Sequence, residues 1–351
     1  MWQPETRRLA AAMTPESFPC YLVRKTDKHK IEAGIERRPL VELPAGDLLI
    51  EVAYSSLNYK DALAATGHPG VVRKFPHVPG IDAAGTVVES SSDEFMAGDR
   101  VIVTGYELGA QRWGGWAGYV RVPVEWAVPL PERLSLEESM VYGTAGLTAA
   151  LSVRTLQHHG VTADAGKVLV TGATGGVGVM AVKLLSKLGY TVVAVSGKVE
   201  RHSWLKELGA SNVIGRGEVN DESDKPLLPA LWSGAVDTVG GNTLATILRS
   251  TQISGCVAAC GLVGGAELPL TVYPFILRGV TLAGIDSAWC AREHRIEIWQ
   301  QLAGEWKLDG LDAIAATFDL TQVDEHVQRI LNGQVTGRIL ITPREQSCPP
   351  S

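Results

Sequence analysis

Lys167-Val-Leu-Val-Thr171 runs into Gly172-Ala-Thr-Gly175-Gly176-Val-Gly178, and the fold is decided by how this stretch is read. Val168 to Val170 is an apolar run of strand length, and Val179 to Leu188 has helical spacing ended by Gly189. Glycines between a strand and a helix let the backbone turn sharply and approach a pyrophosphate closely. The helix start then presents unpaired N–H groups and a partial positive charge to the phosphates. A glycine triplet alone is a weak signal. Between a strand and a helix, with a second strand at Thr191 to Val195 behind it, it predicts a dinucleotide site.

Downstream the alternation continues, with a helix at Trp204 to Leu208 and strands at Val213-Ile214, Ala235 to Thr238, Cys256 to Cys260 and Thr281 to Ile285. Strands alternating with helices predict a parallel, doubly wound α/β sheet. Upstream, from Tyr21 to about Leu130, the texture is different. Short β-like runs such as Leu48 to Ala53, Gly85 to Val88 and Arg100 to Val103 are separated by turns at Pro79-Gly80 and Gly98-Asp99. The run Gly337 to Ile341 returns to this pattern. A chain of 351 residues exceeds what one core usually supports, so two domains are expected. The expected division is an irregular β module over residues 20–140 and 290–345, a dinucleotide domain over 141–289, and a poorly ordered tail over 1–17.

The end of the second strand reports on the ribose. A carboxylate there would accept from the 2′-hydroxyl of NAD. The chain instead reads Ser196-Gly197-Lys198 with Arg201 following, a hydroxyl and two cations suited to a 2′-phosphate, so NADPH is the expected cofactor. Arg216, after the third strand, either stacks beside the adenine or is a solvated charge.

The formal charge of −6 gives no broad basic surface, which argues against nucleic acid or acidic lipid as partner. No run of eighteen apolar residues is present to span a membrane, and Leu9 to Ala12 is too short for a signal peptide core. The five scattered cysteines read as free thiols of a reducing compartment, the cytoplasm. Cys256 and Cys260 have no histidine or second cysteine pair nearby to complete a metal site.

Pro79-Gly80-Ile81-Asp82-Ala83-Ala84-Gly85-Thr86-Val87, Gly98-Asp99-Arg100-Val101 and the glycine loop together resemble the medium-chain dehydrogenase/reductase superfamily. The resemblance covers about residues 20 to 343 and implies a Rossmann domain inserted in a GroES-like β domain. Zinc-dependent members carry a cysteine where this chain has Asn58, and Gly-His-Glu where it has Gly80-Ile81-Asp82, so no metal is expected. Ser55 to Leu63, Gly143-Thr144-Ala145-Gly146, Val193 to Lys198 and Pro274 to Gly279 are most similar to the acrylyl-CoA reductase group of zinc-free quinone oxidoreductases.

That resemblance implies NADPH-dependent reduction of acrylyl-CoA to propionyl-CoA. The other readings are an NADPH quinone or enone reductase and a non-catalytic NADPH-binding protein. Tyr59 is either the proton donor, since a phenol is protonated at neutral pH, or a group that positions the nicotinamide. Asn58 is a candidate to orient a substrate carbonyl, and Asp61 is either catalytic or a structural cap. Cofactor contacts are implied at Thr174, Gly175, Gly176 and Val177, at Leu262, Ile276 and Ser287, and at Asn332. Arg338 is expected to reach the phosphates. A CoA substrate carries a phosphorylated adenosine, for which Arg73 with Lys74 and Arg292 with Arg295 are the candidate cations. Similar proteins are commonly homodimers joined along the dinucleotide domain.

Overall fold

Strand β1 (Ser17–Lys25) pairs antiparallel with β2 (Ile31–Pro39) as a separate two-stranded sheet. The computed structural model describes residues 15–343, so most of the expected tail, and Cys348, lie outside the described residues. Ser17 does not belong to a tail: it opens β1, and its carbonyl accepts from Arg37 Nη2 at 3.1 Å. Then follow β3 (Leu48–Leu57), α1 (Tyr59–Ala65), β4 (Asp82–Ser90), β5 (Arg100–Thr104), β6 (Tyr119–Val122) and β7 (Ala127–Pro129). These are the short strands that the Gly/Pro punctuation predicts.

Helix α2 (Leu136–His158) leads into the second sheet. Its members are β8 (Lys167–Val170), β9 (Thr191–Val195), β10 (Asn212–Ile214), β11 (Trp232–Asp237), β12 (Thr251–Ala259) and β13 (Thr281–Gly284). Helices α3 (Gly176–Lys187), α4 (His202–Glu207), α5 (Gly241–Arg249) and α6 (Tyr273–Arg278) connect them. All pairings are parallel, in the order β10-β9-β8-β11-β12-β13. The order reverses between β8 and β11, and ligands of doubly wound sheets bind in the crevice at that point, beyond the carboxyl ends of the strands. Alternation along each strand feeds two cores: Val168, Val170, Val192 and Ala194 pack with α3, whereas Leu169, Val193 and Val195 pack with α5. A parallel sheet buried on both faces explains why these strands are apolar throughout.

Helix α7 (Arg292–Ala303) carries the chain back to the first module, where β14 (Ala315–Asp319), α8 (Val323–Leu331) and β15 (Arg338–Thr342) complete it. β15 lies between β14 and β3 in a seven-stranded sheet, with Ile339 opposite Leu57. This register sets Arg338 beside Asn58, across most of the chain.

Candidate cofactor and active site

The glycine loop joins β8 to α3 as expected. A Cβ on Gly178 would lie 2.2 Å from the Gly172 carbonyl oxygen, so only glycine allows the loop to fold against its helix. Gly175 is the N-cap of α3 and offers no side-chain cap, leaving the first N–H groups of a twelve-residue helix for another acceptor. Thr174 is buried and its carbonyl accepts from Gly337 N at 2.9 Å, while Val177 is half-buried. Arg338 reaches the same place: its Nη1 would stand 3.0 Å from a Cβ on Gly176. Its guanidinium is buried, with Nε on the Val141 carbonyl (2.9 Å) and Nη1 on Asn58 Oδ1 (3.1 Å). Nη2 is buried without a hydrogen bond. An uncapped helix start beside a guanidinium with an unspent N–H fits a pyrophosphate.

Asn58 is the hub of the neighbouring network. Its Nδ2 faces Asp61 Oδ2 (3.0 Å), Asp82 Oδ2 (2.9 Å) and Ser56 Oγ (3.1 Å), while Oδ1 accepts from Arg338. Two carboxylates on one side and a guanidinium on the other fix the amide's orientation. With both ends engaged, Asn58 is not free to hold a substrate carbonyl, which corrects that expectation. Asp61 is the structural cap: with Asn58 it forms the capping box of α1, and its Oδ1 accepts from Gly80 N (3.1 Å) and Ile81 N (2.7 Å). Fully buried, it touches no open surface. Burial and then the Asp82 carboxylate raise its pKa to about 7, against the pull of its N–H donors.

Asp82 was legible only as a departure from the zinc pattern, yet it organises the site. Helix α2 is broken at Gly143 (φ 49°, ψ −154°), and the freed Thr144 N donates to both Asp82 oxygens at 3.0 Å, with Thr144 Oγ1 adding a bond of 2.6 Å. A carboxylate thus caps a helix start from another element. A Cβ on Gly143 would fall 2.6 Å from Asp82 Oδ2, so the break requires glycine. Among the described residues, no group of three or more His, Cys, Asp or Glu is arranged to hold a metal ion. Cys256 and Cys260 lie along β12 and just beyond it, and burial pushes their thiols up to about 11 and about 12. Tyr59, the first residue of α1, is 43% exposed at the edge of this network.

At the end of β9, buried Ser196 accepts from Lys198 N (3.0 Å), and the Arg216 guanidinium lies over Gly197. Lys198 Nζ reaches across to the Val335 carbonyl (2.7 Å) and Thr336 Oγ1 (3.2 Å). Arg201 and Arg216 are exposed. Leu262 and Ile276 are each 67% exposed, Ser287 Oγ accepts from Thr148 Oγ1 (2.6 Å), and Asn332 sits exposed at the end of α8.

The second basic pair is not at an opening. Arg295 is fully buried and donates to Thr104 O and Oγ1 (both 2.7 Å) and to the carbonyls of Ser287 (3.0 Å), Ala288 (3.1 Å) and Cys290 (3.4 Å). Arg292 pairs with Glu94 (2.8 Å) and donates to the Ala127 carbonyl. Both are spent on the protein itself. Arg295 stands one turn along α7 from Arg292, on the inner face, where the carbonyls and the Thr104 hydroxyl take up its Nη1 and Nη2 N–H groups. Arg73 and Lys74 are exposed.

Family profiles match at two places: one described as alcohol dehydrogenase GroES-like domain over residues 44–132, and one described as zinc-binding dehydrogenase over 176–304. The chain is 50% identical over 86% of its length, and 91% of the relative's, to a Bacillus subtilis protein, YhfP, provisionally named a quinone oxidoreductase. A crystal structure of YhfP with NAD bound matches 93% of this chain and all of that one, with a TM-score of 0.90. The acrylyl-CoA reductase AcuI of Ruegeria pomeroyi is 44% identical over 89% of this chain and 94% of its own. An oxidoreductase of Salmonella enterica, solved in complex with NADP, is 45% identical over 92% of this chain and 99% of its own, with a TM-score of 0.90. On its two domains, its glycine loop and these relatives, the chain belongs to the medium-chain dehydrogenase/reductase superfamily, as an oxidoreductase of the quinone-oxidoreductase-like branch.

Proposed function

We propose that this protein reduces the carbon–carbon double bond of acrylyl-CoA with NADPH, yielding propionyl-CoA and NADP+. The observation that carries the reading is the head of α1, where a half-exposed Tyr59 follows directly on an Asn58 locked between two carboxylates and Arg338. The likeness to the acrylyl-CoA reductase AcuI supports the substrate. Lys198 and Arg201 after β9, Arg216 lying over Gly197, and Ser196-Gly197 in place of a carboxylate at the end of β9 support NADPH, as does the NADP-bound relative. NADPH, when bound, supplies the hydride to the β-carbon. Arg338 and the start of α3 hold its pyrophosphate, and Lys198 and Arg201 its 2′-phosphate. Tyr59 then either delivers the proton to the α-carbon or sets the angle of the nicotinamide.

A second reading, reduction of a quinone or enone, is favoured by one feature. With Arg295 buried and Arg292 paired to Glu94, the cationic approach for CoA rests on Arg73 and Lys74. The two readings separate on kcat/KM for acrylyl-CoA against a simple quinone. Acrylyl-CoA should win, and free acrylate should be turned over far less efficiently, because the CoA portion binds remote from the reacting bond. A quinone turned over more efficiently than acrylyl-CoA overturns the proposal, and no turnover of either leaves a binding protein.

We further infer a cytoplasmic homodimer joined along β13, the outer strand of the six-stranded sheet. Exposed apolar residues cluster in the neighbouring segment, among them Val272, Tyr273 and Leu277. Among the described residues no helix is long and apolar enough to cross a membrane, and four cysteines are free thiols.

A further inference from the structure

A cavity of about 210 Å³ lies between the dinucleotide domain and the returning elements of the β module. Arg201 and Trp204 line it from one side, His326 and Arg329 from α8 line it from the other, and Thr336 lies among its walls. We propose that Arg329 is a further cation of the 2′-phosphate site, brought to it by α8 from the opposite module. The proposal rests on the NADPH reading above and extends it to a residue outside the dinucleotide domain.

Three observations carry it. First, Arg329 is loosely engaged: its Nη1 meets His326 Nδ1 at 3.4 Å and Glu325 at 3.7 Å, with both ionic side chains largely open to solvent. Second, burial and the guanidiniums of Arg201, Arg216 and Arg329 hold the Lys198 ammonium below the usual lysine range, opposed by the carboxylate of Glu200. Arginines from two domains therefore act on one lysine, an arrangement that gains most when a dianion arrives between them. Third, Lys198 already binds Val335 and Thr336, so the end of β9 and the segment after α8 form one wall. A cation in the last turn of α8 is also favoured by the helix dipole. That accounts for an arginine at this position, but not for its place on a cavity that it shares with Arg201 and with Thr336, the partner of Lys198.

The test titrates NADPH and NADH separately into Arg329→Gln, reading the quench of tryptophan fluorescence, with Lys198→Ala and Arg201→Ala measured in parallel. Loss of one charge-assisted contact should weaken NADPH about 10-fold and leave NADH unchanged. Arg329→Lys should recover part of the loss, because the charge remains. Lys198→Ala or Arg201→Ala shifting the NADPH/NADH ratio while Arg329→Gln does not would make Arg329 a solvated charge and overturn the inference. Equal weakening of both cofactors by Arg329→Gln also overturns it, since Arg329 would then only hold α8 in place. If none of the three variants moves the ratio, the NADPH reading itself fails.

Discussion

Tyr59 and Asp61 stand two positions apart on α1 and face opposite chemical fates. Tyr59 is half-exposed, and if it is the proton donor its replacement by Phe should lower turnover about 10²–10⁴-fold with NADPH affinity little changed. A smaller loss shared with cofactor binding would assign it to positioning. Asp61 meets only donors, so Asp61→Asn turns an NH2 toward N–H groups and should destabilise the fold by roughly 1–3 kcal/mol for each donor left unpaired. Its elevated pKa adds a pH signature. The folded state keeps the proton between about 4 and about 7 while the unfolded chain releases it, so this group's contribution to stability falls as pH rises through that window. Urea unfolding at pH 5 and pH 8 should therefore find the gap between wild type and Asp61→Asn narrower at pH 8. A gap that widens with pH would mean that the donors outweigh burial.

Among the elements, the loop after β13 shows what buried arginine does here. Arg295 ties that loop, through three of its carbonyls, to Thr104 at the end of β5. Arg295→Lys keeps the charge, yet a point-like ammonium cannot replace a planar fork serving acceptors on two sides. The expected outcome is a large drop in thermal stability, on the order of 1–3 kcal/mol per orphaned carbonyl, read by calorimetry or urea titration. An unchanged melting temperature with a salt-dependent rise in KM for a CoA substrate would restore Arg295 to the substrate approach. Spacing could not have distinguished Arg295 from Arg292, because which face of α7 is buried depends on Thr104 and the loop, both distant in sequence. Glycine was more informative: Gly172 to Gly178 announced the β8–α3 turn because its strand and helix are adjacent in the chain. Gly143 announced nothing, since its break serves Asp82, which only the tertiary fold brings near.

Across the whole molecule, the two modules were legible from texture alone. Local alternation and turn chemistry suffice to separate a parallel sheet from an irregular β module. The site between them was legible only in part. Lys198 and Arg201 follow a strand and are found by counting, whereas Asn58, Asp82, Thr144 and Arg338 meet through the pairing of β15 with β3 and the broken α2. The open edge of β13 belongs to this scale too. Leu277 is 59% exposed beside it, and Leu277→Glu should convert the expected dimer to monomer in sedimentation at micromolar concentration. A wild-type monomer at that concentration would leave the apolar segment without its partner copy.

The placement of β15 also bears on how the protein is made. Arg338 and Asn58 are 280 residues apart, yet they sit on neighbouring strands of one sheet. At ribosomal rates of about 5–20 residues per second, β3 waits roughly 15–55 s for the strand that covers its side. During that interval β3 is already paired with β4 on one side and with β6 over Leu48–Glu51 on the other, so a nascent chain leaves open only the short edge at Ser55–Leu57, the kind of edge that can recruit other chains. The six-stranded sheet has no such delay, because each of its strands arrives soon after its neighbour. The dinucleotide domain therefore acquires its glycine loop early in synthesis, but the arginine that spans both modules comes only with the strand that closes the first sheet.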